Sequence, residues 1–176
     1  MYEKTISRKT VYTGRILDVD VLDVELENGK RSVREIVQHG VAVAIIPKLA
    51  DGRFAFIRQF RKAMERVCFE VVAGNVDHDG EHEAETAMRE LQEETGYIAE
   101  SMELLGPIFP SVGYCTERID VFYCEVVGRG ETDFDDDERI ETVIVSEAEM
   151  DEMIRSNQIA DSKTLAAWML YKAKKS

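Results

Sequence analysis

Between residues 80 and 97 the chain reads GEHEAETAMRELQEETGY, with six glutamates (Glu81, Glu83, Glu85, Glu90, Glu93 and Glu94) and one arginine, Arg89. Glu90 and Glu94 are four apart, so on a helix they are neighbours on one face, with Cβ atoms about 5–6 Å apart. Glu93 flanks them. Like charges at that spacing weaken a helix by about 0.2–0.5 kcal/mol per pair. A hard divalent cation reverses that sign. Mg2+ favours carboxylate oxygens and keeps several waters, which can then meet substrate phosphates. Arg89 can pair with a neighbouring carboxylate and fix its rotamer. Spacing alone leaves two readings open: a solvated acidic face, or a place where a cation is held.

The acids need a helix to hold them. Ala84, Met88 and Leu91 lie at i, i+4 and i+7, an apolar stripe that predicts a helix over about 82–95. Glu90 and Glu94 are expected on the side turned away from that stripe. Gly96 stands where a helix C-cap belongs. Upstream, residues 15–37 alternate in strand fashion around the Asn28-Gly29 turn signal. The run VAVAIIP (41–47) predicts a strand buried on both faces. Asp51-Gly52 marks a turn into another strand. An irregular stretch at 62–69 leads into the short strand CFEVV, and the glycine-bearing loop AGNVDHDG follows. Strands are expected near 98–108 and 117–127, then an acidic loop, then the strand IETVIVS. Ser146 and Glu149 form a capping-box pattern for a helix near 147–155. A last helix over about 162–174 ends in lysines, which complement the helix dipole. Trp168, Met169 and Tyr171 read as its packing residues. The order is mostly β with one central helix and C-terminal helices, an α+β or layered α/β/α arrangement.

Composition narrows the setting. The 176 residues are enough for a proper core, and 44% hydrophobic with 32% charged is a globular profile. A net charge of -13 disfavours nucleic acid and anionic membrane, and suits a protein that concentrates divalent cations. The N-terminus has no apolar stretch of the signal-peptide kind, and no run approaches a membrane span. Cys68, Cys115 and Cys124 are widely spaced without a CxxC, which predicts reduced thiols in a cytoplasmic protein. His39, His78 and His82 read as structural or exposed, and no His/Cys cluster suggests zinc.

From Glu81 the sequence runs E, seven residues, then RELQEETGY. This resembles the Nudix box, G-x5-E-x7-R-E-U-x-E-E-x-G-U, where U is a bulky apolar residue. Arg89, Glu90, Leu91, Glu93, Glu94, Gly96 and Tyr97 fill its positions. The leading glycine departs, since six residues rather than five separate Gly74 from Glu81. Either the loop bulges, or Asn75 takes the glycine's place. Outside the box, RQFR (58–61) with FEVVAG (69–74) is similar to the RQ(F/Y)R…E-x-PAG pattern of ADP-ribose and other nucleoside-diphosphate-sugar pyrophosphatases. SVREIVQHGVAVAII, PSVGYCTERIDVFYC and IRSNQIADSKTLAAWMLYK resemble further motifs of that subgroup. Val72 and Val112 stand where its patterns carry proline.

The resemblance implies a mixed-sheet α/β/α sandwich with N-terminal antiparallel strands. It divides the chain into an N-terminal strand hairpin at 1–38, a candidate dimerisation element, and a Nudix hydrolase domain at 39–176. It implies metal ligation by Glu90, Glu93, Glu94 and the carbonyl of Ala73, with Mg2+ as the ion or Mn2+ in its place. Arg89 and Glu93 belong to its catalytic set. The general base is expected in the acidic loop ETDFDDDERIE, at Glu138 with Asp136 and Asp137 beside it. Arg58, Arg61, Glu70 and Glu117 are implied on the substrate side. Each has a plainer reading too: surface salt bridge for Arg61, edge-strand acid for Glu70, strand-end acid for Glu117, solvated loop for Glu138. The implied activity is hydrolysis of the diphosphate of ADP-ribose or a related nucleoside diphosphate sugar. A GDP-mannose-type pyrophosphatase and a non-catalytic nucleotide-sugar sensor are the alternatives. The implied assembly is a cytoplasmic homodimer in which Tyr12 or a neighbour stacks on a base.

Overall fold

The computed structural model describes residues 1–76, 80–134 and 139–175. Glu138, Asp136, Asp137 and His78 lie outside the described residues. The elements run β1 (Glu3–Thr13), β2 (Asp18–Leu26), β3 (Arg31–Gln38), β4 (Val41–Lys48), β5 (Phe54–Arg61), β6 (Arg66–Glu70), β7 (Val72–Asn75), α1 (Glu83–Thr95), β8 (Tyr97–Ala99), β9 (Glu103–Ile108), β10 (Arg118–Arg129), β11 (Ile140–Val145), α2 (Glu147–Arg155) and α3 (Ser162–Lys175). They gather into two compact units. One is Met1–Val41 with Phe109–Arg118, and the other is Ala42–Ile108 with Ile119–Ser176.

The larger unit is built on a sheet ordered β11-β5-β4-β10-β8, with β6 added to β5, β7 to β4 and β9 to β10. Strand side chains alternate faces, and the buried residues sort accordingly into two cores. Ala42, Ala44 and Ile46 of β4, Phe54 and Phe56 of β5, and Ile119, Val121 and Tyr123 of β10 join one core, closed by Met150 of α2 and by Ala167, Trp168 and Tyr171 of α3. Val43 and Ile45, Ile57, and Phe122 and Cys124 join the other, closed by Ala87 and Leu91 of α1. The sheet is therefore sandwiched between α1 and the α2–α3 pair, the layered mixed-sheet fold expected from the sequence. Because both faces are covered, β4 reads as a continuous apolar run rather than an alternating one. Trp168 anchors the first core. Its ring meets Phe54 edge-on at 5.1 Å, and its indole N–H donates to Asp151 Oδ1 at 2.8 Å. Met169, expected to pack, is exposed.

Local signals act as read at the helix ends. Gly96 closes α1 in the left-handed conformation (φ 73°), and its N–H donates to the Gln92 carbonyl at 2.7 Å. The Glu149 N–H donates to Ser146 Oγ at 3.2 Å, while Ser146 N–H donates to Glu149 Oε2 at 2.7 Å. The stretch expected as one strand at 98–108 is two, β8 and β9, both paired with β10.

The smaller unit holds a three-stranded antiparallel sheet, β1-β2-β3. Gly29 turns the β2–β3 hairpin at φ 78°, with its N–H on the Leu26 carbonyl at 2.9 Å. β1 was not legible as a strand. All eleven of its residues are exposed, so neither face imposes an apolar alternation. Its register rests on pairing with β2 and on polar contacts: Arg8 pairs with buried Asp20 at 2.5 Å, and Thr10 Oγ1 donates to Asp20 Oδ1 at 2.7 Å.

Candidate active site

On α1 the acids are not equivalent. Ala87 and Leu91 face the core completely buried, and Glu94, three residues beyond Leu91, is only 5% exposed. The expectation that Glu94 turns away from the apolar stripe is corrected: it lies at the buried border of the helix. There the N–H of Ala73 donates to Glu94 Oε2 at 3.3 Å. Glu93 is more open, its side chain 34% exposed. Arg89 gathers the others. Its Nη1 lies 2.9 Å from Glu90 Oε1 and donates to Glu93 Oε2 at 2.7 Å, and its Nε donates to Glu81 Oε1 at 3.2 Å. Half-burial of Arg89 works against its charge, but the bond to Glu81 and the carboxylates of Glu90 and Glu93 raise its pKa far above the usual arginine value. Glu81 also accepts from Thr86 Oγ1 at 2.9 Å. The leading acid of the motif thus ties the loop before the helix to the helix's own second turn.

β7 brings the loop glycine against this cluster. A Cβ on Gly74 would stand 2.0 Å from Cδ of Glu90 and 2.1 Å from its Oε1. Only glycine leaves room for the Glu90 carboxylate there. Of the two alternatives for the leading glycine, Gly74 holds the place, and the extra residue falls between it and Glu81. Asn75 is not among the described residues of positive φ.

A second charged cluster lies at the β6–β7 break. Arg61 closes a fork on Glu70, Nε to Oε1 and Nη2 to Oε2, both at 2.8 Å. Glu70 is 2% exposed and also accepts from the Lys163 ammonium. Burial pushes its pKa up, but the Arg61 bonds and the Lys163 charge outweigh that and hold it below the ordinary carboxylate range. The bond to Glu70 in turn raises the Arg61 pKa. Lys163, Asp161 and Thr164 belong to the quoted motif IADSKT, but nothing local in the sequence says which strand they reach.

The structure does not bring Arg58 to Arg61. They are three apart on β5, hence on opposite faces. Arg58 is exposed, 3.8 Å from Glu141 on β11. Gln59, unassigned by the sequence, is the residue that shares Arg61's face, and it is buried. Glu117 belongs to the smaller unit, half-buried, its N–H on Cys115 Sγ at 3.5 Å.

Comparison with known proteins decides the family. Residues 38–168 match the NUDIX domain, and residues 3–37 match the nucleoside diphosphate sugar hydrolase N-terminal domain. The chain belongs to the Nudix family. It is 37% identical over 167 residues to the ADP-ribose pyrophosphatase of Bacillus subtilis, covering 94% of this chain and 90% of that protein. It is equally similar, with the same coverage, to the methanol dehydrogenase activator of Bacillus methanolicus. Over 158 residues it is 30% identical to the GDP-mannose pyrophosphatase of Yersinia enterocolitica, covering 83% of this chain and 80% of that one. The fold matches the crystal structure of an ADP compounds hydrolase with a TM-score of 0.88 over 98% of this chain and 94% of that one, at 23% identity.

Nudix pyrophosphatases are generally metal-dependent, and the carboxylate oxygens of Glu81, Glu90, Glu93 and Glu94 are hard donors that fit a hard dication. Among the described residues no three acids, histidines or cysteines form a ready-made metal cage. Glu90 and Glu93 are turned to Arg89, and Glu94 to the Ala73 amide. A cation at this helix must share these carboxylates with Arg89.

Proposed function

We propose that this Nudix protein hydrolyses the diphosphate bond of ADP-ribose or a related nucleoside diphosphate sugar, giving a nucleoside monophosphate and a sugar phosphate. The observation that carries the reading is the Arg89 cluster, with Glu81, Glu90 and Glu93 drawn to one guanidinium and Gly74 admitting Glu90 beside it. The near full-length similarity to an ADP-ribose pyrophosphatase supports the substrate class. Similarity to a GDP-mannose pyrophosphatase supports the second reading, the same reaction on GDP-mannose.

Glu90, Glu93, Glu94 and the Ala73 carbonyl are the proposed holders of Mg2+, with Mn2+ as substitute. Such an ion, when bound, polarises the diphosphate and acidifies a water. Arg89 orients Glu90 and Glu93. Arg61, fixed by Glu70, presents a planar cation suited to phosphate oxygens. Glu117 completes the substrate side in this proposal, while Arg58 is left to its pair with Glu141. Water's oxygen forms the new bond to one phosphorus, the bridging oxygen departs with the other phosphate, and the water proton passes to Glu138.

The proposed assembly is a homodimer through the N-terminal strands. The full exposure of β1, with Ile6, Val11 and Tyr12 among its exposed apolar residues, supports it. Three unpaired thiols support a reducing, cytoplasmic setting. Among the described residues no helix is long and apolar enough to cross a membrane.

The experiment is a panel of ADP-ribose, GDP-mannose and other nucleoside diphosphate sugars with Mg2+, Mn2+ or chelator, reading phosphate released after phosphatase coupling. Metal-dependent monophosphate release is expected, fastest with ADP-ribose. No release from any member of the panel sinks the proposal. Sedimentation as an active monomer at micromolar concentration sinks the dimer.

A further inference from the structure

β6 pairs with β5 and ends at Glu70, and β7 pairs with β4 and begins at Val72, so the chain changes partner strand at Val71. The N–H left over at the break does not go unmet, which a buried amide could not afford. Val71 is fully buried, and its N–H donates to Thr164 Oγ1 at 2.8 Å, across 93 residues. One residue earlier, the buried Glu70 carboxylate receives the Lys163 ammonium from the same turn of α3. Asp161 supports both residues. Its Oδ2 accepts from Lys163 Nζ at 3.0 Å, from Thr164 N–H at 3.0 Å and from Thr164 Oγ1 at 2.6 Å. The first turn of α3 thus holds side chain and backbone of the break together.

Two neighbours depend on that hold. Glu70 carries the Arg61 fork. β7, starting one residue past the clamped amide, carries Ala73 and Gly74 to Glu94 and Glu90. The cluster has two acids, Glu70 and Asp161, and two bases, Arg61 and Lys163, so its formal charge is balanced. Without Lys163 it carries a net negative charge beside an arginine proposed to meet a diphosphate.

We propose that Lys163 is a positioning residue for the hydrolytic site: it offsets the charge of buried Glu70 and of half-buried Asp161 and so keeps Arg61 available, in fixed orientation, to an anionic substrate. This rests on the proposed diphosphate hydrolysis for its kinetic readout. Lys163 does not touch the substrate. It acts through Glu70 and Arg61, so its loss weakens substrate binding more than turnover.

The test compares the parent with Lys163→Met and Lys163→Arg in two measurements. The first is kcat and KM on the best substrate of the panel. The second, made without substrate, is hydrogen exchange of the Arg61 Nε–H by NMR. Lys163→Met is expected to raise KM by about tenfold or more while kcat stays within about threefold, as loss of binding common to ground and transition states should. Lys163→Arg, which restores the charge, is expected to return KM to within about threefold of the parent. Exchange of the Arg61 Nε–H should accelerate in Lys163→Met and recover in Lys163→Arg. An unchanged KM in Lys163→Met, or a Lys163→Arg no better than Lys163→Met, overturns the proposal. If the parent cleaves no nucleoside diphosphate sugar, the functional reading fails separately. The Arg61 exchange then decides the positioning role alone, and unaltered exchange in Lys163→Met overturns it.

Discussion

The α-carbon of Gly74 faces the carboxylate of Glu90 so closely that an added methyl would stand 2.0 Å from Cδ. Neither atom can yield freely, because Gly74 is paired to Val43 in the sheet and Glu90 is held by Arg89. Gly74→Ala is therefore expected to cost about 1–3 kcal/mol by overpacking and to displace Glu90. Adding Glu90→Ala should recover part of that loss, since it removes the group in the way. Urea denaturation of the two single variants and the double variant measures the coupling. Additive losses would show that the crowding is absorbed elsewhere.

Glu90→Gln keeps the size and removes the charge. Turnover is expected to fall by at least about a hundredfold, beyond what loss of a merely supporting partner of a metal ligand costs. The far-ultraviolet circular dichroism should be unchanged, because Glu90 belongs to neither core. Parent-like turnover would remove Glu90 from the proposed metal set.

Stability should fall in acid in a defined direction. Glu70 is held low against its burial by Arg61 and Lys163, Asp151 is held low by the Trp168 indole N–H, and Glu149 by the Ser146 backbone N–H. Each folded-state pKa is below its unfolded value, so the unfolded chain binds protons more readily. The stabilisation is complete above the unfolded pKa values, about 4 to 4.5, and is lost as pH drops through the folded ones. Melting temperature should be flat from neutrality to about pH 5 and decline below that. Glu70→Gln should be less stable at neutral pH and show a shallower acid decline. An equally steep decline would assign the acid sensitivity to other carboxylates.

The three thiols should react unequally. Burial pushes the Cys124 thiol up to about 12, whereas Cys68 and Cys115 are only half-buried. Reaction comes from the thiolate and needs access. Brief alkylation of the native protein near neutral pH should label Cys68 and Cys115 and leave Cys124 until denaturant is added, as read by peptide mass spectrometry. Early labelling of Cys124 would place it outside the closed α1-side core.

Much of the site was legible because its information is local. Helical periodicity, the Gly96 cap and the spacing of Arg89, Glu90, Glu93 and Glu94 all sit within residues 80–97. The Ser146–Glu149 box and the apolar run of β4 were legible for the same reason. β1 was not, because an exposed strand has no buried face to write an alternation. The placement of Arg58 was also beyond local reading. The motif RQFR names its residues, but strand geometry sends Arg58 to one face and Gln59 with Arg61 to the other.

By itself the sequence determined the acidic helix, its Gly96 C-cap, the doubly buried strand β4 and the resemblance to the Nudix family. Only the tertiary structure decided which glutamate is buried, why Gly74 must be glycine, and that Lys163 and Thr164 hold Glu70 and Val71. The physical reason is range. Helix and strand periods are set by neighbours a few residues apart, whereas a buried carboxylate or an amide between two ladders is satisfied by whatever group packing delivers, here from 93 residues away.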